Sequence, residues 1–277
     1  MNQTVLRIGA VEIIPLTDAA GAFWPLADDF PEVSAAAWEP YRQRYPDAFG
    51  GDNWSTRLTA HLIRTPSRTI LVDTGLGPDP SEEVGGARGS LLPQLADLDV
   101  QPSDVDLVFL THLHFDHVGW NLTDGRPTFP RARYAVHQAD WSAFQEADQK
   151  YGLAFIKQSV TPLLATGALD LVTQETELAE GVTAIPTPGH TPGHMSVVVD
   201  SAGQRALICA DVVHHPAQVT EREWGRLDID PEQGIKTRQR MLDWAEQAGM
   251  TIVAGHLPGT GIGRTVREAG RPYWQAL

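Results

Sequence analysis

Thr111-His112-Leu113-His114-Phe115-Asp116-His117 places four metal-ligand side chains, His112, His114, Asp116 and His117, within six positions. The run follows Val105-Asp106-Leu107-Val108-Phe109-Leu110, a short apolar stretch of the kind a buried strand makes, so the cluster falls on the loop leaving that strand. Packing alone gives no reason to gather these groups. Imidazole and carboxylate together suit zinc, manganese, iron or cobalt, with each neutral His giving one ring nitrogen to the metal while a neighbour orients the other. The competing interpretation is a polar strand-exit loop.

Residues further along favour the metal. Thr187-Pro188-Gly189-His190-Thr191-Pro192-Gly193-His194 is a tight turn whose glycines and prolines fix the backbone around His190, ahead of the strand-like Met195-Ser196-Val197-Val198-Val199. Leu207-Ile208-Cys209-Ala210-Asp211 is an apolar run ending on a carboxylate, and Ile252-Val253-Ala254-Gly255-His256 is built the same way and ends on an imidazole. In a layered α/β fold such strand ends meet along one edge.

From about Thr56 to Gly263 the chain resembles the metallo-β-lactamase superfamily. The motifs that carry the resemblance are Asp73 closing Leu71-Val72-Asp73-Thr74-Gly75, the H-x-H-x-D-H loop, His190 in a G-H-T-x-G-H turn, Asp211 after a strand, and the late His256. The resemblance implies an αββα sandwich, with one metal held by His112, His114 and His190. It implies a second metal on Asp116, His117 and His256, about 3.5–4 Å from the first, with Asp211 bridging the two. Asp211, the stretch Thr187 to His194 and His256-Leu257-Pro258-Gly259 are most similar to the lactonase and organophosphate-hydrolase branch. Asp73 is expected to orient ligands or backbone beside the metal loop.

Length and composition set limits. At 277 residues with 42% hydrophobic residues the chain can bury one substantial core, and no linker or low-complexity tract marks a second domain. The expectation is a single domain over residues 1–277. One cysteine excludes an internal disulfide, and Cys209, inside an apolar strand, reads as a small buried hydrophobe. Acidic residues number 35 against 21 basic ones, a net charge of −14 with no basic cluster. Affinity for nucleic acid comes largely from Lys and Arg on phosphates, so nuclease members of the superfamily are disfavoured. The first residues, Met1 to Ile8, show no basic segment followed by a long apolar one, and no uncharged apolar run reaches about 18 residues. The expectation is a soluble cytoplasmic protein, not associated with membranes.

Along the chain, Val5 to Ile8 and Val11 to Leu16 predict a hairpin turning at Gly9-Ala10, and Ser55 to Ile63 with Thr69 to Asp73 predict a second. Between them, Asp18 to Trp54 carries Phe23, Trp24, Phe30, Trp38, Tyr41, Tyr45, Phe49 and Trp54, interrupted by Pro25, Pro31, Pro40 and Pro46. A long insertion is more often functional than idle, which makes residues 18–54 a lid, or an arm pairing two copies as a homodimer. A packed excursion over the core is the plainer alternative. Helices are expected at Leu91 to Leu98, Gln138 to Gln149, Leu153 to Ala165 and Pro231 to Gln247, the last with Pro at its start and Gly249 past its end. Strands are expected at Ala132 to Val136, Leu169 to Val172 and Val182 to Ile185.

The chemistry expected is hydrolysis of a small lactone or ester. Two divalent transition-metal ions, zinc foremost with manganese, iron or cobalt as alternatives, bring the pKa of a shared water toward neutrality, so that the resulting hydroxide attacks a polarised carbonyl. Asp116 is the expected proton donor to the leaving group, as the resemblance implies, in addition to being a ligand. The best-known acyl-homoserine lactonases carry a Tyr three residues after the bridging Asp, where this chain has His214, followed by His215 and Pro216. Imidazole can also donate to an oxyanion, so His214 is a catalytic and substrate-binding candidate, with Phe23 and Trp24 as further substrate contacts. His61, His137 and His194 lack ligand partners in sequence and read as structural or as supports behind the ligands. The alternatives are a phosphotriester (organophosphate) hydrolase and an iron-dependent redox or binding member of the same fold.

Overall fold

In the computed structural model, residues 4–225 and 227–277 are described. Its first two strands, Leu6–Ile8 and Val11–Pro25, form the expected antiparallel hairpin. They turn at Gly9, whose φ of +56° suits glycine and whose Cα lies so close to Ser201 that a Cβ would fall 2.5 Å from its Oγ.

The strands lie in two large sheets. The first runs Leu6–Ile8, Val11–Pro25, Asn53–Arg64, Thr69–Val72, Leu107–Phe109, Arg133–His137 and Leu169–Val172, with Phe49–Gly50 pairing onto Asn53–Arg64. The second follows chain order: Thr176–Ala179, Val182–Pro186, Met195–Ser201, Gln204–Ile208, Thr251–Val253, Ile262–Glu268 and Arg271–Ala276. Alternate residues of each sheet turn inward, and Ile13, Ile63, Val72 and Phe109 of the first meet Val182, Val197, Ile208 and Val253 of the second. Each outer face is covered by helices. Leu91, Leu95, Phe144, Ile156 and Leu163 pack on Leu62, Leu71, Val108 and Val136 of the first sheet, while Met241, Leu242 and Ala245 of the helix Pro231–Gln247 pack on Leu207 and Ile252 of the second. This is the αββα sandwich of the metallo-β-lactamase type.

The site is placed by strand direction. Thr69–Val72, Leu107–Phe109 and Arg133–His137 run parallel, as do Gln204–Ile208 and Thr251–Val253. Asp73, the His112–His117 run, Asp211 and His256 follow the carboxyl ends of four of these strands, where α/β sheets bind their ligands.

Some expectations need revision. The helix expected over Leu153 to Ala165 is two, Ala154–Ser159 and Thr161–Ala165, parted at Val160, whose φ of −124° leaves the helical region just ahead of Pro162. The strand Thr176–Ala179 and the C-terminal hairpin went unread, the latter because Arg264, Arg267, Glu268 and Arg271 interrupt any apolar run. Asp18 to Pro25 continues a strand, and the segment beyond it folds into the helices Leu26–Asp29 and Ala35–Arg44 around an aromatic core of its own. Phe30, Trp38, Tyr41 and Trp54 are buried there against Ala217. Among the described residues no helix is long and apolar enough to cross a membrane.

Candidate metal centre

The centre is built outward from Asp73, a non-glycine residue at φ +62°. Asp tolerates the left-handed region better than most side chains. The turn lets Oδ1 accept from the Thr111 N–H at 2.7 Å and Oδ2 accept from Thr111 Oγ1 at 2.8 Å and from His117 Nδ1 at 2.9 Å. Because Nδ1 of His117 carries the proton, its Nε2 presents a lone pair to the interior. The same logic sets other ligands: His112 Nδ1 donates to Thr111 Oγ1 at 3.0 Å, and His256 Nδ1 donates to the Arg57 carbonyl at 2.9 Å. His190 Nδ1 stands 3.4 Å from Asp228 Oδ1, and Arg238 Nη2 holds the other oxygen of that carboxylate at 2.8 Å.

The inward atoms form two groups, with a third, Asp211, His214 and His256, overlapping them. His112 Nε2 and His190 Nε2 lie 3.0 and 2.9 Å from His114 Nδ1, with Asp211 Oδ2 3.3 Å from His190 Nε2. Asp116, His117 and His256 form the second, where His117 Nε2 is 3.6 Å from Asp116 Oδ2 and 3.4 Å from Asp211 Oδ1. Asp211 therefore lies between them, with backbone angles of φ −90° and ψ 18°, in the sparsely populated bridge region common in active sites.

The donor set fits metal ions. One proton on His114 Nδ1 can satisfy only one of the two nitrogens facing it, so at least one pair of ring lone pairs meets without a proton. Donors of a tetrahedral zinc, at about 2.0–2.1 Å from the metal, stand roughly 3.3 Å from one another, close to these spacings. In the second group His117 Nε2 and Asp211 Oδ1 are buried without a hydrogen-bond partner. Burial pushes His112 and His190 well below the usual histidine range and His114 down to about 3, which keeps all three in the neutral form a metal requires. Burial opposes charge on His117 and His256 too, yet the Asp211 and Asp116 carboxylates outweigh it and raise both. Those carboxylates call for positive charge at the position a second cation would fill.

Two braces escaped sequence reading. Asp140, fully buried in the first turn of the helix Gln138–Tyr151, accepts from Leu113 N at 3.1 Å and Gly193 N at 2.6 Å, pinning the metal loop to the turn that carries His190. Burial pushes its carboxyl up to about 6. Asp228, which faces His190, was the other. The histidines set apart as structural lie outside the ligand groups: His194 Nε2 accepts from the Asp211 N–H at 3.2 Å, His137 Nδ1 caps a helix through Ala139 N, and His61 is buried with neither ring nitrogen bonded. Cys209 is buried, and its thiol is pushed up to about 12 by that burial.

Above these groups opens a cavity of about 220 Å³. Asp116, His190, Asp211, His214 and His256 line it on one side, with Trp24, Trp54, Phe115 and Leu227 supplying apolar wall. His214 is only 4% exposed, so it is no loop-surface histidine. Its Nε2 stands 3.2 Å from Asp211 Oδ2 and its ring stacks on His256 at 5.4 Å. Of the two aromatics expected at the substrate, Trp24 lines the cavity. Phe23 packs edge-on against Trp24 at 5.7 Å, in a cluster with Leu58, Leu76 and Val84.

The sequence profile of the Metallo-beta-lactamase superfamily matches residues 58–256. An N-acyl homoserine lactonase from Bacillus sp. is 24% identical over 212 residues, 71% of this chain and 79% of that protein. The crystal structure of AbOPH, a hydrolase in the beta lactamase superfamily, superposes with a TM-score of 0.85 at 29% identity, covering 99% of this chain and 97% of the other. AidC, a dizinc quorum-quenching lactonase with a bound product, superposes at 0.83 with the same coverage and 21% identity, a likeness of fold.

Proposed function

Because the chain belongs to the metallo-β-lactamase superfamily, we propose that it is a dinuclear metal-dependent hydrolase that opens a small lactone or ester. The observation that carries this is Asp211, set between a His112, His114, His190 group and an Asp116, His117, His256 group.

His112, His114 and His190 would hold one divalent ion and Asp116, His117 and His256 the other, with Asp211 within reach of both. Zinc suits this nitrogen and oxygen set, with manganese, iron and cobalt as competitors. Such ions acidify water and polarise a carbonyl oxygen when bound. The protein residues do the rest. Asp116, at the edge of the cavity, takes the proton given up by the attacking water and passes it to the departing alkoxide, the part of ester cleavage that a poor leaving group cannot manage unaided. His214 brings Nε2 to the cavity beside Asp211, where it donates to the carbonyl oxygen as negative charge develops. Trp24, Phe115 and Leu227 take the acyl portion and exclude water. The segment from 18 to 54 thus serves as a roof over the site, anchored by its own buried aromatics.

The test is a chelator-stripped protein reloaded with zinc, manganese, iron or cobalt separately, assayed on γ-lactones, aryl and alkyl esters and phosphotriesters. Lactone and ester hydrolysis returning with metal supports the proposal. Turnover confined to phosphotriesters, or oxidation chemistry with iron alone, would replace it.

A further inference from the structure

One charged group of the cavity has no part in this chemistry. Asp29 ends the short helix Leu26–Asp29 and lines the cavity beside Trp24, Trp54 and His214. Its position is fixed: the Trp54 indole N–H donates to Oδ2 at 2.6 Å, and Trp54, itself 2% exposed, packs on Trp24 with ring centroids 5.4 Å apart. Burial raises its carboxyl above the usual range, and the described lining residues include no Lys or Arg. A carboxylate is an acceptor only. With Oδ2 committed to the indole, Oδ1 remains for a donor from outside the protein.

We infer that Asp29 is a specificity residue, selecting substrates with an N–H or O–H donor a few bonds from the scissile carbonyl and rejecting those with an anionic group there. The inference rests on the hydrolase proposal and narrows it to neutral or cationic lactones and esters, an α-acylamino lactone being the simplest. The apolar wall of Trp24 and Leu227 accepts the hydrocarbon of the acyl group, and Asp29 is the one carboxylate among the described lining residues that the ligand groups leave free. A hydrogen bond to a charged acceptor in such a place raises kcat/KM roughly ten- to a hundredfold. The donor gains that much only if it sits on the substrate, because the indole N–H is already spent.

The test compares an α-acylamino-γ-lactone with its α-acyloxy analogue, in which oxygen replaces the N–H, on the metal-loaded wild type, Asp29→Asn and Asp29→Ala. Wild type should prefer the N–H compound roughly tenfold or more in kcat/KM. In Asp29→Asn the indole takes the amide oxygen and turns the NH₂ toward the substrate, so the preference should vanish or invert at unchanged metal content. Asp29→Ala should lose the preference without inverting it. An N–H to oxygen ratio near one in wild type, or equal loss on both compounds in the variants, overturns the inference; the second result would make Asp29 a structural or proton-transfer group. A parallel pair of nitrophenyl esters of an acylamino and an acyloxy acid keeps the ratio measurable. If the esters turn over and neither lactone does, the lactone proposal fails while the ratio still decides for or against Asp29.

Discussion

His117 Nδ1 donates to Asp73 Oδ2 across 2.9 Å, and both side chains are buried. The bond links the end of one parallel strand to the ligand loop after the next, and it selects the tautomer that leaves His117 Nε2 free. Partners of this kind typically carry 10–100-fold of metal affinity. Asp73→Asn keeps a side chain that accepts the left-handed backbone, yet sets an amide N–H against donors at Thr111 or His117. Metal competition with a chromogenic chelator should show affinity falling by roughly that factor, with a smaller change in apoprotein melting. Unchanged affinity would assign Asp73 to the backbone turn alone.

Asp116→Asn should separate the proton-donor role from the ligand role. Loss of a positioned acid removes roughly 10²–10⁴-fold of rate, and most where the leaving group is basic. An alkyl lactone should therefore suffer far more than a nitrophenyl ester, measured as kcat/KM on protein of equal metal content. Equal losses on both substrates would leave Asp116 a ligand only.

The aromatic roof can be dissected residue by residue. Both Trp24 and Trp54 line the cavity, but Trp24 is half-buried whereas Trp54 is buried in the aromatic core. Trp24→Ala should raise KM or shift acyl-chain preference, since it removes apolar contact worth roughly 1–3 kcal/mol to a substrate. Trp54→Ala should cost roughly 3–5 kcal/mol of stability by denaturant titration. Phe23→Ala, one layer back, should act on substrates more weakly than Trp24→Ala. A Trp24 variant that melts far below wild type and ranks substrates identically would make the roof packing alone.

Acid should weaken the fold through His215. Burial pushes this imidazole down to about 3, and its ring lies among Phe30, Trp38 and Phe49. The native state keeps it neutral while the unfolded chain protonates near pH 6.5. Its contribution is therefore complete above about 6.5 and is lost as pH falls toward 3, by roughly 1.4 kcal/mol per pH unit. His215→Phe removes the titration and keeps an aromatic ring in place. The stability difference between wild type and variant, by urea titration from about pH 7.5 to pH 5, should move in the variant's favour at that slope. A difference that does not change with pH would show that His215 is protonated in the fold.

What could be read from the chain depended on how local each feature was. The ligand loop is contiguous, and Asp211 and His256 each close an apolar strand, so residue type and position were visible together. The braces were not visible: Asp140 bonds to Leu113 and Gly193, and Asp228 faces His190, through contacts that exist only once the sheets have stacked. Phe23 and Trp24 were read as equal substrate contacts, and only the folded chain separates them, with Trp24 at the cavity and Phe23 packed behind it. The two rings touch, and the strand that carries them shifts register between Gly21 and Trp24, so simple alternation does not say which of them reaches the cavity. The C-terminal hairpin, with charged residues along its exposed positions, offered no apolar run to read.

The most direct test of the account is metal stoichiometry. Wild type made in minimal medium, loaded and desalted, should contain about two transition-metal ions per chain by elemental analysis. His112→Ala and His256→Ala should each retain about one, with native mass spectrometry showing the other site still filled. A fully loaded wild type that binds at most one ion, with Asp211 serving a single metal, would contradict the shared dinuclear centre.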